Sequence, residues 1–303
     1  MANIIAVVWD CDKTLIDGYM QDPIFEEYKV DPKAFWKEVN DAPAMYARQG
    51  VKVNPETIYL NYFIRKTKDG TFAGLNNARL REFGRKQKFY PGILDFFRTS
   101  RDLFNGDPRY QEYNIKVEHY IVSTGFAEVV RGTELSDYVE NIWGCELIEE
   151  ENEAGERIIS EIGYTIDNTT KTRALFEINK GIPKLEKIDV NTKIAKEKRR
   201  VQFENMIYIA DGPSDIPAFS VVNQNKGHTF AIYPAGDVTA MRQVEGMRQD
   251  GRVDMYAEAD YREGTTAYLW ITEKIRQIAE RIRKEEQDKI LGSLTDVPRH
   301  LSS

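Results

Sequence analysis

Ile4-Ile5-Ala6-Val7-Val8-Trp9-Asp10-Cys11-Asp12-Lys13-Thr14 is the stretch whose reading decides the fold. Ile4 to Trp9 is an almost unbroken apolar run with several β-branched residues. It is too short to span a bilayer and reads as a strand buried on both faces. It ends in two carboxylates one residue apart, Asp10 and Asp12, with Thr14 beyond. In an open α/β sheet, ligands sit at the carboxyl ends of the strands, so this strand delivers two acids to the edge where such folds do chemistry. Carboxylates this close repel unless a proton or a cation lies between them, and a hard divalent ion such as Mg²⁺ is the usual solution.

Further strands with functional ends follow. Val117 to Val122 ends in Ser123-Thr124-Gly125-Phe126, where a hydroxyl and a glycine suit an anion, although Ser-Thr-Gly is also a common turn. Met206 to Ala210 ends in Asp211-Gly212-Pro213-Ser214-Asp215, again placing acids after a buried strand. Phe230 to Tyr233 is a further strand, and Met255 to Ala257 a short edge strand. Cys145–Ile148 and Glu156–Ile166 flank an acidic turn and read as a hairpin with a solvated tip. Asp167 to Lys171 opens a helix. A lysine in a first turn opposes the helix dipole, so Lys171 is better explained if it faces an anion, with a plain surface lysine the equal alternative for this residue in isolation.

Between the first strand and the rest lies an aromatic-rich segment with helical spacing, 17–90. Helix starts are marked at Asp22-Pro23, Asp31-Pro32 and Asn54-Pro55, with a further helix from Leu75 to Gln87. Phe25, Tyr28, Phe35, Trp36, Tyr59, Tyr62 and Phe63 are read as this segment's own core rather than a ligand box. The expected division is an α/β core of three layers, Rossmann-like with a mainly parallel sheet, formed by 1–16 and 91–290. An inserted helical cap takes 17–90 and a frayed tail 291–303. Ile93–Leu103 reads as a helix, Asn105–Asn114 as a polar loop, and the charged run Ile182–Phe203 as a solvated helix face. Tyr268, Ile271, Ile275, Ile278 and Ile282 form the apolar face of a final helix.

With 303 residues and a net charge of −7, the chain is large enough for one big domain or a core plus a smaller one, and its charge argues against nucleic-acid or anionic-membrane partners. No apolar stretch approaches the ~20 residues a bilayer span needs. Ala2 to Trp9 has no basic leader, so a cytoplasmic protein is expected. Cys11 and Cys145 read as reduced core thiols, and His119, His228 and His300 are too scattered for a zinc site.

Taken in order, the strand-end groups are Asp10, Asp12 and Thr14, then Ser123, then Lys171, then Asp211 and Asp215. Carboxylates, one lysine and one hydroxyl make up the inventory for phosphoryl transfer with a divalent metal. The set resembles the four motifs of the haloacid dehalogenase superfamily: Asp10-Cys11-Asp12-Lys13-Thr14 the first, Ser123 the second, Lys171 the third, Asp211 to Asp215 the fourth. Ser123 to Phe126, with the hairpin beyond, is similar to the phosphoserine-phosphatase-like branch, and the 17–90 insertion resembles the helical cap found at that point. The resemblance implies a Mg²⁺-dependent phosphatase acting on a small phosphorylated metabolite. Asp10 would be the nucleophile and Asp12 the acid and base. Asp10, the Asp12 carbonyl, Asp211 and Asp215 would hold Mg²⁺. Ser123, Lys171 and Thr124 would hold phosphoryl oxygens, with Gly125 assisting and Thr14 orienting Asp12 or its loop. An acid at position 12 favours phosphoester chemistry over carbon–halogen cleavage.

The sequence departs from that pattern in places. Lys13 stands where glycine or serine is usual, and faces either the cap and substrate or the solvent. Ala210 replaces a common glycine. Gly18 to Asp22 lacks the glutamate of phosphoserine-specific members, which argues against phosphoserine as substrate. Arg48, Arg65 and Arg79 are cap cations, read as solvated before they are read as ligands. A phosphotransferase or mutase on the same fold, and a non-catalytic phospholigand-binding protein, are the alternatives. Oligomeric state is left open.

Overall fold

The computed structural model describes residues 3–185 and 188–295. Its centre is a seven-stranded sheet of β1 (Asn3–Trp9), β2 (Ile115–Phe126), β3 (Val139–Glu151), β4 (Arg157–Tyr164), β5 (Met206–Ala210), β6 (His228–Tyr233) and β7 (Met255–Glu258). The order is β4-β3-β2-β1-β5-β6-β7, and every pair is parallel except the β3–β4 hairpin. β1 sits mid-sheet and Ile5 to Trp9 are fully buried, as an unbroken apolar strand requires.

The helices are α1 (Asp22–Tyr28), α2 (Pro32–Ala47), α3 (Ile58–Lys68), α4 (Asn77–Gly84), α5 (Ile93–Arg101), α6 (Pro108–Gln111), α7 (Ala127–Arg131), α8 (Lys171–Lys180), α9 (Ile216–Gln224), α10 (Val238–Gln249) and α11 (Thr266–Thr295). They cover both faces of the sheet. Tyr208 of β5 packs on Phe219 of α9, whereas Phe230, next to Tyr208's partner Thr229, packs on Trp270 of α11. Trp9 shares the α11 face and lies against Phe96 and Phe97 of α5. Its indole N–H donates to His119 Nδ1 at 3.0 Å, and His119 Nε2 lies 2.9 Å from Ser100 Oγ. The indole can only donate, so Nδ1 accepts and the ring is neutral. Burial pushes this histidine down to about 3. It is a core group, as the absence of zinc-ligand spacing implied.

Helices α1 to α4 follow β1, and their aromatics pack on one another within a core that is continuous with that of the sheet rather than separate from it. Phe63 stacks on Phe72 with centroids 5.0 Å apart, and Phe25 and Phe35 pack around that pair. Phe63 and Tyr59 also meet Phe126 of β2 edge-on at 5.0 and 5.6 Å, which seats the insertion against the strand end that carries Ser123.

Several expectations are corrected. α1 is capped by Gln21, with Asp22 inside the first turn, where its carboxylate accepts from the Tyr19 N–H. α3 begins at Ile58 rather than after Asn54, because the Asn54 side chain closes a turn on the Glu56 N–H and reaches Asp167. Asp31 does cap α2, accepting from Lys33 N at 3.0 Å. The polar loop 105–114 contains the short helix α6. The described part of 182–203 is not an α-helix: its helical pieces are a 3₁₀ turn at Lys196–Lys198 and the start of another, Phe203–Asn205. Flanking and internal cations are drawn to oxygens instead, Lys180 to the Val190 and Thr192 carbonyls and Arg200 to Glu118. α9 and α10 have no counterpart among the sequence expectations. The expected frayed tail, 291–303, is helical through Thr295, where α11 ends, and residues 296–303 lie outside the described residues. No helix is long and apolar enough to cross a membrane among the described residues.

Candidate active site

From β1 the chain goes to β2 and β3 on one side, then returns to place β5 and β6 on the other. The crevice at that reversal is where α/β sheets hold ligands. Trp9 pairs with Ile121 on one side and Ile209 on the other, so Asp10 leaves β1 beside the end of β5, its N–H donating to Ile209 O at 2.9 Å. Asp211 is the residue after Ala210, and a tight Gly-Pro turn returns Asp215 to the same place. Carboxylate oxygens of Asp10, Asp211 and Asp215 lie within 4.8 Å of one another.

Lys171, the first residue of α8, completes the cluster. Its Nζ donates to Asp10 Oδ1 and Asp215 Oδ1, both at 2.7 Å, and is 1% exposed. A buried ammonium is tolerable only when paired. Burial alone would lower its pKa, but Asp10 and Asp215 hold it well above the usual lysine range. The first-turn lysine therefore does face an anion. Asp10 Oδ2 accepts from Thr14 Oγ1 at 3.3 Å, and Asp215 accepts from Tyr208 and Ser214 hydroxyls.

The acids resist ionisation. Burial raises Asp10, partly offset by Lys171, and raises Asp211, where Asp10 adds repulsion. Burial and the neighbouring Asp10 push Asp12 up to about 8, so near neutrality its carboxyl holds a proton. Three oxygen-only ligands, two buried and Asp211 partly so, suit a hard divalent cation, which would relieve their mutual repulsion. Asp10, Asp211 and Asp215 could hold such an ion. The Asp12 side chain stands apart from that trio, its Oδ1 accepting from the Met20 N–H at 2.9 Å.

Ser123 is fully buried two residues beyond the Trp9–Ile121 pairing, level with position 11 on the adjacent strand, and its Oγ accepts from the Gly125 N–H at 3.0 Å. The Thr124 carbonyl accepts from Tyr59 of the insertion at 2.8 Å. Helix α7 opens at Ala127, later than a helix begun at Gly125. Of the insertion's arginines, Arg79 pairs with Glu27 and Glu82, Arg65 bonds the Tyr46 hydroxyl, and Arg48 is exposed. Cys11 and Cys145 are both buried.

Sequence reasoning missed three supports. Tyr208 was legible in part, since a tyrosine inside an apolar strand needs a partner for its hydroxyl. Met20 was not: its backbone holds Asp12 while its sulfur accepts from the Phe126 N–H at 3.0 Å, and a Cβ on Gly125 would lie 2.4 Å from that sulfur. A side chain at position 125 would therefore displace the Met20 thioether from the Phe126 N–H. Tyr261, whose hydroxyl donates to the Thr14 carbonyl at 2.7 Å, gave no local signal either.

No protein-family model matches the chain. An uncharacterized protein of Borreliella burgdorferi is 36% identical over 287 residues, covering 90% of this chain and 97% of that protein. The chain belongs to one family with it. Solved structures similar to this chain include the following. A HAD family hydrolase from Salmonella enterica serovar Typhi is 16% identical at a TM-score of 0.48, over 80% of this chain, which spans 65% of that one. An apo phosphoserine phosphatase is 15% identical at a TM-score of 0.49, over 87% and 97% of the two chains. A substrate-bound phosphoserine phosphatase is 18% identical at 0.48, with the same coverage.

Proposed function

We propose that this protein is a phosphohydrolase of the haloacid dehalogenase superfamily that hydrolyses a small phosphomonoester, with Mg²⁺, through an aspartyl-phosphate on Asp10. The observation that carries the reading is the junction at Lys171, whose Nζ lies 2.7 Å from carboxylates of both Asp10 and Asp215, with Asp211 beside them at the sheet's switch point.

In this reading an Asp10 carboxylate oxygen attacks phosphorus and the bond to the leaving oxygen breaks. Asp12, protonated near neutrality, gives its proton to that oxygen. The resulting Asp12 carboxylate then takes a proton from water as the water attacks the phosphoryl group, which frees phosphate and restores Asp10. Lys171 and Ser123 hold phosphoryl oxygens, and Lys171 also keeps Asp10 ionised. Mg²⁺ held by Asp10, Asp211, Asp215 and the Asp12 carbonyl would neutralise charge on the phosphoryl oxygens. The insertion serves as a cap that excludes water, with Met20 orienting Asp12. A protein that merely binds a phospholigand has no need of a proton donor at position 12.

The test is hydrolysis of 4-nitrophenyl phosphate with and without Mg²⁺, beside Asp10→Asn. Turnover that requires Mg²⁺ and falls by roughly three orders of magnitude or more in the variant is expected, the loss typical of removing a covalent nucleophile. Metal-independent turnover, or equal rates in the two proteins, would sink the proposal.

A further inference from the structure

We infer that Glu56 and Asn54 of the insertion are positioning residues for Lys171, holding the turn from which that lysine reaches Asp10. This rests on the phosphatase reading above.

Asp167 to Thr170 is the turn that opens α8. Its shape is fixed from within. The Thr170 N–H donates to Asp167 Oδ1 and the Asp167 N–H to Thr170 Oγ1, both at 2.7 Å. The Asp167 carbonyl accepts from the Lys171 N–H at 3.0 Å. These bonds are local, so they set the form of the turn and not its distance from Asp10. Placement comes from other segments. Fully buried Ile166 donates its N–H to Cys145 Sγ at 3.4 Å. The insertion supplies the other anchor. The Glu56 carboxylate accepts from the N–H and from Nδ2 of Asn168, at 2.7 and 2.6 Å, and Asn54 Nδ2 donates to Asp167 Oδ2 at 2.9 Å. A two-pronged bond to a carboxylate fixes direction as well as distance.

The same piece of the insertion also touches the strand end that carries Ser123, because the Tyr59 hydroxyl donates to the Thr124 carbonyl at 2.8 Å. Segment 54–59 therefore bridges the two groups that hold phosphoryl oxygens in this reading. The insertion does not need Glu56 and Asn54 to stay attached. Phe63 already meets Phe126, and the Ile159 N–H donates to the Leu75 carbonyl at 3.0 Å. Helices α4 and α7 approach so closely that a side chain at Gly84 or Gly132 would meet the other helix's backbone. Asn54 is exposed and Glu56 partly so, and polar groups there add little to stability. What their bonds do is locate a turn. Lys171 Nζ must reach Asp10 and Asp215 together, at 2.7 Å each, and a 1 Å misplacement of a catalytic group can cost about 10²-fold in rate.

The experiment measures kcat and KM on 4-nitrophenyl phosphate, with Mg²⁺, for wild type, Glu56→Ala, Glu56→Gln and Asn54→Ala, each also in the Lys171→Met background. Both positions are at least partly exposed, so the single variants are expected to fold, which their Tm checks. Glu56→Ala should lower kcat by about tenfold or more with KM held within about twofold, because the lysine that serves the transition state is displaced. Glu56→Gln, with one acceptor oxygen in place of two, should fall between, and Asn54→Ala should cost less than Glu56→Ala. In Lys171→Met these substitutions should have almost no further effect, since nothing is left to position. Unchanged kcat in Glu56→Ala, a rise in KM alone, or equal losses in the Gln and Ala variants overturns the inference and leaves the phosphatase reading standing. So does a Glu56→Ala loss of the same size in both backgrounds. The split between kcat and KM decides the matter where Lys171→Met turns over too slowly to compare. Absence of Mg²⁺-dependent turnover in wild type overturns the phosphatase reading, and the inference with it.

Discussion

Lys171 shows how much one side chain decides here. Its ammonium sits in a dry site only because Asp10 and Asp215 lie 2.7 Å away, and those carboxylates are tolerable only because of it. Lys171→Met keeps the stem and removes the charge. It should destabilise the protein by about 3–5 kcal/mol in urea unfolding at pH 8, the cost of breaking a buried pair, and lower turnover by at least about 10²-fold. A variant as stable and active as wild type would mean that the lysine is dispensable to both. At this scale the sequence was only half legible. Asp10, Asp12, Asp211 and Asp215 announce themselves because each follows an apolar run within a few residues. Tyr208 on Asp215 and Met20 on Asp12 do not, because nothing in their neighbours says where a hydroxyl or an N–H points.

Among the elements, α3 couples the insertion to the sheet. Phe63 stacks on Phe72 within the insertion and meets Phe126 of β2 outside it. Phe63→Ala should cost about 3–5 kcal/mol, as full truncation of a buried phenylalanine does. It should also lower kcat/KM on aryl phosphates, since the contact lies three residues from Ser123 along the same strand. Unchanged kinetics in a destabilised protein would separate the insertion's packing from the chemistry. Most strands were read within a few residues, because alternation and apolar runs reflect local burial; β3 is the exception, since it begins at Val139, ahead of the Cys145 expected. Elements whose burial is shared with distant partners were read less well. The charged 182–203 run resembles a solvated helix, but Arg199 finds the Ile194 carbonyl and Arg200 finds Glu118 instead. α3 starts late because Asn54 is engaged by Asp167, a residue 113 positions away.

For the molecule as a whole, the cluster is expected to make stability depend on pH and, through the proposed Mg²⁺ site, on metal. Asp12 is raised from 3.8 to about 8 and Asp10 and Asp211 are also raised, so the folded state holds protons that the unfolded chain releases. That contribution is complete below the ordinary carboxylate range and is lost as pH rises through about 8. His119 acts with the opposite sign: neutral when folded, it begins to cost stability below its ordinary 6.5. The clean window is therefore pH 6.5 to 8, where metal-free protein should lose thermal stability as pH rises. Mg²⁺ at about 100 times its Kd should restore roughly 2.7 kcal/mol, with a larger Tm shift at pH 8 than at 6.5 because fewer protons compete. Equal shifts at both pH values, or none, would show that the three carboxylates do not share an ion. The sequence by itself determined the strands, their reactive ends and the insertion's aromatic packing, because each depends on near neighbours and on whether a segment is buried. Only the tertiary structure decided that Lys171 reaches Asp10 across 161 residues, that Met20 holds Asp12, and that the Tyr208 hydroxyl reaches Asp215. Side-chain pairing between distant segments is set by how the sheet and insertion pack, and no local pattern carries that information.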